Sequence, residues 1–162
     1  MPVVKISING IEGIQAALEE LPRSVQASVL RRVAKQALQP VAAAMRSGAP
    51  VGKGASKRGK RYRDTIGVSG KLSPKQRGYA KAESEYRINA YAGAGSGLSH
   101  LIEKGTQPRR TKSGANRGSV GARPHIVPAW ATHADALPQR IGKLLWAEIA
   151  KTAQRLASKA SK

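Results

Sequence analysis

Between Arg23 and Ser47 the residues Val25, Val29, Val33, Ala37, Val41 and Met45 return at every fourth position, with Leu30, Ala34 and Leu38 widening the stripe. Positions four apart stand above one another on an α-helix, and the run is far too long for an ordinary strand. The pattern predicts a helix of about 37 Å at 1.5 Å per residue. An apolar face of that length has to be covered, so the rest of the chain must supply a partner surface. Pro40 interrupts the stripe. It removes one backbone hydrogen bond and presses its ring on the preceding turn, so a kink is expected there, with Gly48-Ala49-Pro50 closing the helix.

Shorter elements surround this one. Val4, Ile6 and Ile8 alternate with Val3, Lys5 and Ser7 up to the turn pair Asn9-Gly10, which reads as a strand. Ile11, Ile14, Leu18 and Leu21 share one face of a short helix that Pro22 ends. Strand-like content returns at Thr65, Ile66, Val68 and Leu72, and more clearly from Ala82 to Ala92, where small and apolar residues take one side of the alternation. Beyond Leu98-Ser99-His100-Leu101-Ile102, Glu103-Lys104-Gly105-Thr106 reads as the end of another strand, with a glycine able to take the positive φ that turns the chain into the loop after it. From Ala129 to Ala157 a last helix is expected, with Ile141, Leu144, Leu145, Ile149, Ala153 and Leu156 on one face and an irregularity at Pro138. Its basic end, Lys151, Arg155, Lys159 and Lys162, suits a helix C-terminus.

A chain of 162 residues can bury a core as a single domain, residues 1–162, and the absence of Phe makes that core aliphatic. The expected fold is α+β, with long amphipathic helices packed on a small antiparallel sheet and two long, mobile basic loops at about 52–63 and 105–123. Within it, the strand from Ala82 to Ala92 is expected to be central, with the Val25 to Met45 face lying on it.

Lys and Arg number 29 against 9 Asp and Glu, a formal charge of +20. A compact monomer repels itself at that imbalance, so an anionic partner is expected close by. The charge gathers in the two loops: Lys53, Lys57, Arg58, Lys60, Arg61 and Arg63 in the first, and Arg109, Arg110, Lys112 and Arg117 in the second. The second loop contains no aromatic residue that could stack on bases and the first only Tyr62 near its end, which leaves contact with a phosphate backbone or with acidic protein surfaces. Both alternatives stand at this point.

Other chemistry finds little support in the residues. Absence of Cys removes disulfides, thiol catalysis and Cys-ligated zinc. The closest histidines, His125 and His133, lack the spacing of a metal pair, and Gly48 to Gly54 has one residue too few, and no hydroxyl, for a phosphate-binding loop. No nucleophile and base assemble, so no catalytic, cofactor-binding or metal-ligating residue is expected. No apolar run reaches membrane-spanning length, and MPVVKISING lacks the pattern of a secretory leader, so the expectation is a protein made in the cytoplasm without membrane contact.

Several short motifs follow one another in order: Gly10-Ile11-Glu12-Gly13-Ile14 before the long Ala-rich helix, Ala49-Pro50-Val51, then Tyr62-Arg63-Asp64-Thr65-Ile66. His100 to Thr106 and Ala122 to Trp130 come after them. This order resembles the HK97 gp10-like family of phage proteins, in which an aromatic is common where His125 stands. Through these motifs the resemblance assigns structural roles to Glu103, Gly105, Thr106, Arg123, Pro124 and Pro128. It implies a virion protein of the neck or tail, made in the host cytoplasm: a tail-completion, tail-terminator or head-tail joining component. Its implied partners are further copies in a homo-oligomeric ring, six favoured, the head connector or stopper and tail tube proteins, and genomic DNA in the channel. The contrasting reading, from charge alone, is a small basic nucleic-acid-binding protein acting freely on DNA.

Overall fold

The computed structural model describes residues 12–51, 61–70, 90–95 and 97–160. The strand expected over residues 3–8, loop residues 52–60 and residues 82–89 of the expected central strand lie outside these. Helices α1 (Glu12–Glu19), α2 (Arg23–Ala37) and α3 (Gln39–Gly48) come first. A 3-10 turn at Tyr62–Thr65 then leads into strand β1 (Ile66–Ser69), which pairs with β2 (Tyr91–Ala94). Helices α4 (Ser99–Lys104), α5 (Ile126–Ala134) and α6 (Leu137–Ala160) complete the order. The class is α+β, mostly helical with a small two-stranded antiparallel sheet.

Three prolines explain where the long helices divide. The stripe from Val25 to Met45 is carried by two helices that break at Leu38, and Pro40 is the second residue of α3. The final helix likewise divides after Ala134, with Pro138 second in α6 and Pro128 third in α5. First-turn positions have no intrahelical acceptor for their N–H, so a proline costs nothing there and terminates the helix before it. The last helical stretch therefore begins at Ile126, three residues before the expected start at Ala129.

Contacts group the described residues into two units. One holds residues 12–38, 69–70, 90–91 and 134–160, and the other 39–51, 61–68, 92–95 and 97–133. The chain passes between them four times, at the two helix breaks and within β1 and β2.

In the first unit, Ile14, Leu21, Val29, Val33, Leu145 and Ile149 form the core, flanked by Ala17, Leu18, Val25, Leu30, Ile141 and Leu144. The α2 face lies against α1 and α6; the strand expected to cover it falls outside the described residues over 82–89. Only half of the stripe serves this core, since Val41, Ala42 and Met45 are buried in the second unit. On α6 the buried row runs through Leu145, Ile149 and Thr152, while Ala153 and Leu156, expected on that face, are exposed. Gln26, 6% exposed, donates its Nε2 to the Leu21 carbonyl at 2.7 Å and so satisfies an acceptor at the end of α1. Trp146 lies over Gly13, where a side chain would meet its ring. Arg32 Nε and Glu148 Oε1 pair at 2.6 Å across α2 and α6.

In the second unit one hydrogen bond ties α3 to β1. Arg46 donates to the Ile66 carbonyl at 2.7 Å, and Ile66 is 1% exposed. Asp64 accepts the Arg61 N–H at 3.3 Å, and the Gly95 N–H donates to the Thr65 carbonyl at 2.9 Å, which extends the β1–β2 pairing by one step.

Candidate functional site

The segment from Gly105 to Arg123, expected as an irregular loop, is drawn up into a hydrogen-bonded arm. Thr106 N–H donates to Val120 O at 2.9 Å, Arg109 N–H to Gly118 O at 3.1 Å, and Thr111 N–H to Ala115 O at 2.9 Å. Arg110 and Asn116 form an antiparallel bridge. Arg117 N–H also donates to Arg109 O at 2.7 Å, so Arg109 faces both Arg117 and Gly118, the arrangement of a bulge. Gly114 and Gly118 supply the positive φ values, 84° and 69°, that the tip and the bulge require.

From Gln107 to Pro124 every residue is exposed except the half-buried Thr111. The arm therefore presents Arg109, Arg110, Lys112 and Arg117 to solvent with no acid among its own residues. Like charges facing each other across a ladder are destabilising, and Arg109 stands opposite Arg117. Of the first cluster, Lys53, Lys57, Arg58 and Lys60 lie outside the described residues. Arg61 is exposed ahead of the 3-10 turn, and Arg63 is half-buried within it.

The root of the arm is built from the motif residues. Gly105 has φ +74°, and a Cβ there would sit 2.8 Å from both Ala122 N and Val120 O, so neither the conformation nor the space admits a side chain. The predicted glycine turn is present. The residues before it form α4, whereas a strand had been expected. Leu98, Leu101 and Ile102 carry the helical spacing, and the Leu101 and Ile102 N–H groups both donate to Leu98 O at 3.1 Å. Thr106 Oγ1 accepts the Val120 N–H at 2.9 Å, and Arg123 N–H donates to Ile102 O at 2.8 Å. Pro124 lies in the extended approach to α5, and Pro128 in its first turn.

Glu103 holds the two sides together. Its carboxylate accepts the backbone N–H of His125 at 2.9 Å, of Ile126 at 3.1 Å and of Val127 at 2.9 Å, capping α5 from 22 residues away. Burial alone would raise its pKa. The three N–H donors and the neighbouring His125 ring outweigh burial and hold the carboxyl below its ordinary value.

His125 is 3% exposed and touches everything around it. Its Nδ1 lies 2.9 Å from Arg123 O and 3.1 Å from Glu103 Oε2, and its Nε2 lies 2.9 Å from the Tyr62 hydroxyl. A proton on Nδ1 points at both oxygens, and Nε2 faces the Tyr62 hydroxyl. The rings of Tyr62 and His125 also meet edge to face, with centroids 5.5 Å apart. Burial first, and then the Glu103 charge, raise the Tyr62 pKa. Sequence reasoning missed this cluster, and its one visible signal was a polar His125 at an aromatic position.

The described residues thus give an exposed cationic arm whose root is held by hydrogen bonds. The chain belongs to the HK97-gp10-like family, described as "Bacteriophage HK97-gp10, putative tail-component", whose family model matches residues 12–105. It is accordingly a structural component of the phage tail, located in the virion and in contact with other virion proteins. The match ends at Gly105, so the arm and the Ala122 to Trp130 segment lie beyond it. No curated protein and no solved structure matches the chain. Among the described residues, no helix is long and apolar enough to cross a membrane.

Proposed function

We propose that the protein is a tail-completion, tail-terminator or head-tail joining component. It assembles through head-to-tail contacts into a ring, six copies favoured, between the head connector or stopper and the tail tube. At least one of the two basic segments, the arm or Lys53 to Arg63, faces the channel through which the genome passes. The observation that carries this reading is the arm itself, with five cations exposed, Arg123 among them, no acid of its own and Arg109 placed opposite Arg117. DNA along an axis presents about one charge per 1.7 Å without demanding sequence recognition. Contact has to stay weak enough not to obstruct ejection, and an arm without aromatics neutralises phosphate without gripping bases.

The test is the virion of a phage carrying Arg109→Ser, Arg110→Ser, Lys112→Ser and Arg117→Ser together. Heads and tails should still join while genome retention or ejection changes. Failure of joining would instead make the arm a grip on acidic neighbours. Counting copies per particle tests the ring, and a single copy would refute it.

A further inference from the structure

The first unit carries a second cationic surface, built from residues the arm does not involve. The N-terminal half of α2 faces the C-terminal half of α6 across an open groove. One wall is the row Ser24, Ser28 and Arg32, the other the row Lys151, Arg155 and Lys159, each stepping by four residues and so aligned along its helix. Half-buried Val25 and the 37% exposed Leu156 give the groove an apolar floor.

Two observations mark the groove as incomplete. Glu148, the acid beside it, is engaged by Arg32, and among the described residues Lys151, Arg155 and Lys159 have no ion-pair partner. Like charges four apart on a helix repel, so this row costs α6 stability until an anion neutralises it. Thr152 lines the same groove, is 6% exposed, and its hydroxyl has no hydrogen-bond partner, where a buried hydroxyl ordinarily has one. In addition, α2 starts at Pro22 without a side-chain cap or an acid in its first turn, so the positive end of its dipole adds to the site.

We propose that this groove docks an acidic amphipathic helix of a partner protein. Carboxylates four residues apart on such a helix repeat at about 6 Å, the repeat along the Lys151, Arg155 and Lys159 row, while its apolar side covers Val25 and Leu156. A nucleic-acid backbone would use the cations and leave the apolar floor bare. The inference goes beyond the reading of the arm and does not depend on it.

Fluorescence anisotropy on the full chain tests it, with a labelled synthetic helix of about five turns carrying Leu on one face and flanking Glu pairs. A scrambled peptide of the same composition and a short DNA duplex serve as competitors. The helix should bind about tenfold more tightly than the scramble, and R155E/K159E should weaken it about tenfold. L156S should weaken it as well, and the four arm substitutions should leave it unchanged. All three groove residues are exposed, so the variants should melt with the parent. Equal binding of the scramble, indifference to L156S, or displacement of the peptide by the duplex would overturn the proposal.

Discussion

Removing the Glu103 carboxylate should loosen the arm at its root. In Glu103→Ala the N–H groups of His125, Ile126 and Val127 lose their acceptor, and His125 Nδ1 loses a neighbour at 3.1 Å. Loss of a helix cap costs about 1 kcal/mol and at most about 2. A charge at a helix N-terminus adds about 0.3–1 kcal/mol. Because the His125 N–H is buried with its residue, a further part of an unsatisfied-donor penalty applies, and the total comes to about 2–3 kcal/mol. Glu103→Gln keeps one acceptor oxygen and should cost about half as much. Thermal melts should fall by about 5–10 °C for the Ala variant, and amide exchange should quicken first at Ile126, Val127 and the Thr106–Val120 pair. The sign of the pH effect follows from the carboxyl being held below its ordinary value of 4.5. The native state binds fewer protons than the unfolded chain there, so the contribution is complete above pH 4.5 and is lost as pH falls through the depressed value. The parent should therefore lose more stability than Glu103→Gln between about pH 5.5 and pH 3. A Glu103→Ala melt within about 1 °C of the parent, or parallel pH profiles, would refute the capping argument.

Val33→Asp places a charge at a 2% exposed position against α1 and α6 and should cost about 3–5 kcal/mol in chemical denaturation; an unchanged midpoint would contradict the packing. Gly105→Ala combines positive φ with a 2.8 Å clash on backbone and should cost clearly more than Gly114→Ala, where φ is +84° but nothing lies within 4 Å, and equal losses by calorimetry would mean that the root tolerates a Cβ. Gln26→Ala leaves the Leu21 carbonyl at the end of α1 without its donor and should cost about 1–2 kcal/mol by the same measurement. Breaking the exposed Arg32–Glu148 pair with Arg32→Ala should change stability by less than about 1 kcal/mol, a double-mutant cycle with Glu148→Ala being the check.

Periodicity made the helices legible because it reports which side of an element is buried, though not against what. The four-residue step from Val25 to Met45 is present in full, yet Val29 and Val33 serve one unit while Val41 and Met45 serve the other. Nothing in the spacing marks that change of partner. Only the backbone preference of Pro40 marks the place. The segment Leu98 to Lys104 was misread for a related reason. Six residues are too few for periodicity to separate helix from strand, and the glycine after them ends either one. Beyond Ile149 the buried row on α6 follows the true helical turn to Thr152, whereas a reading that tracks only apolar residues drifts to Ala153 and Leu156.

The arm was legible in its composition and illegible in its construction. Eighteen residues from Gln107 to Pro124 bury almost nothing, and a two-stranded hairpin without a core is marginal in water. Its geometry therefore has to be imposed where it leaves the body. That is where the chain concentrates a glycine no side chain could replace, a threonine bonded across the strands, and a carboxylate that caps α5 while facing the Arg123 side of the root. Each partner lies far from the other in sequence, Glu103 from His125 by 22 residues and Tyr62 from His125 by 63, so local pattern could show that these residues recur in order but not what they hold. The division of labour follows from the physics. In the proposed contact with an anionic surface the cations gain from an exposed, adjustable ladder, and such a ladder keeps its direction only if its root is held by satisfied polar groups.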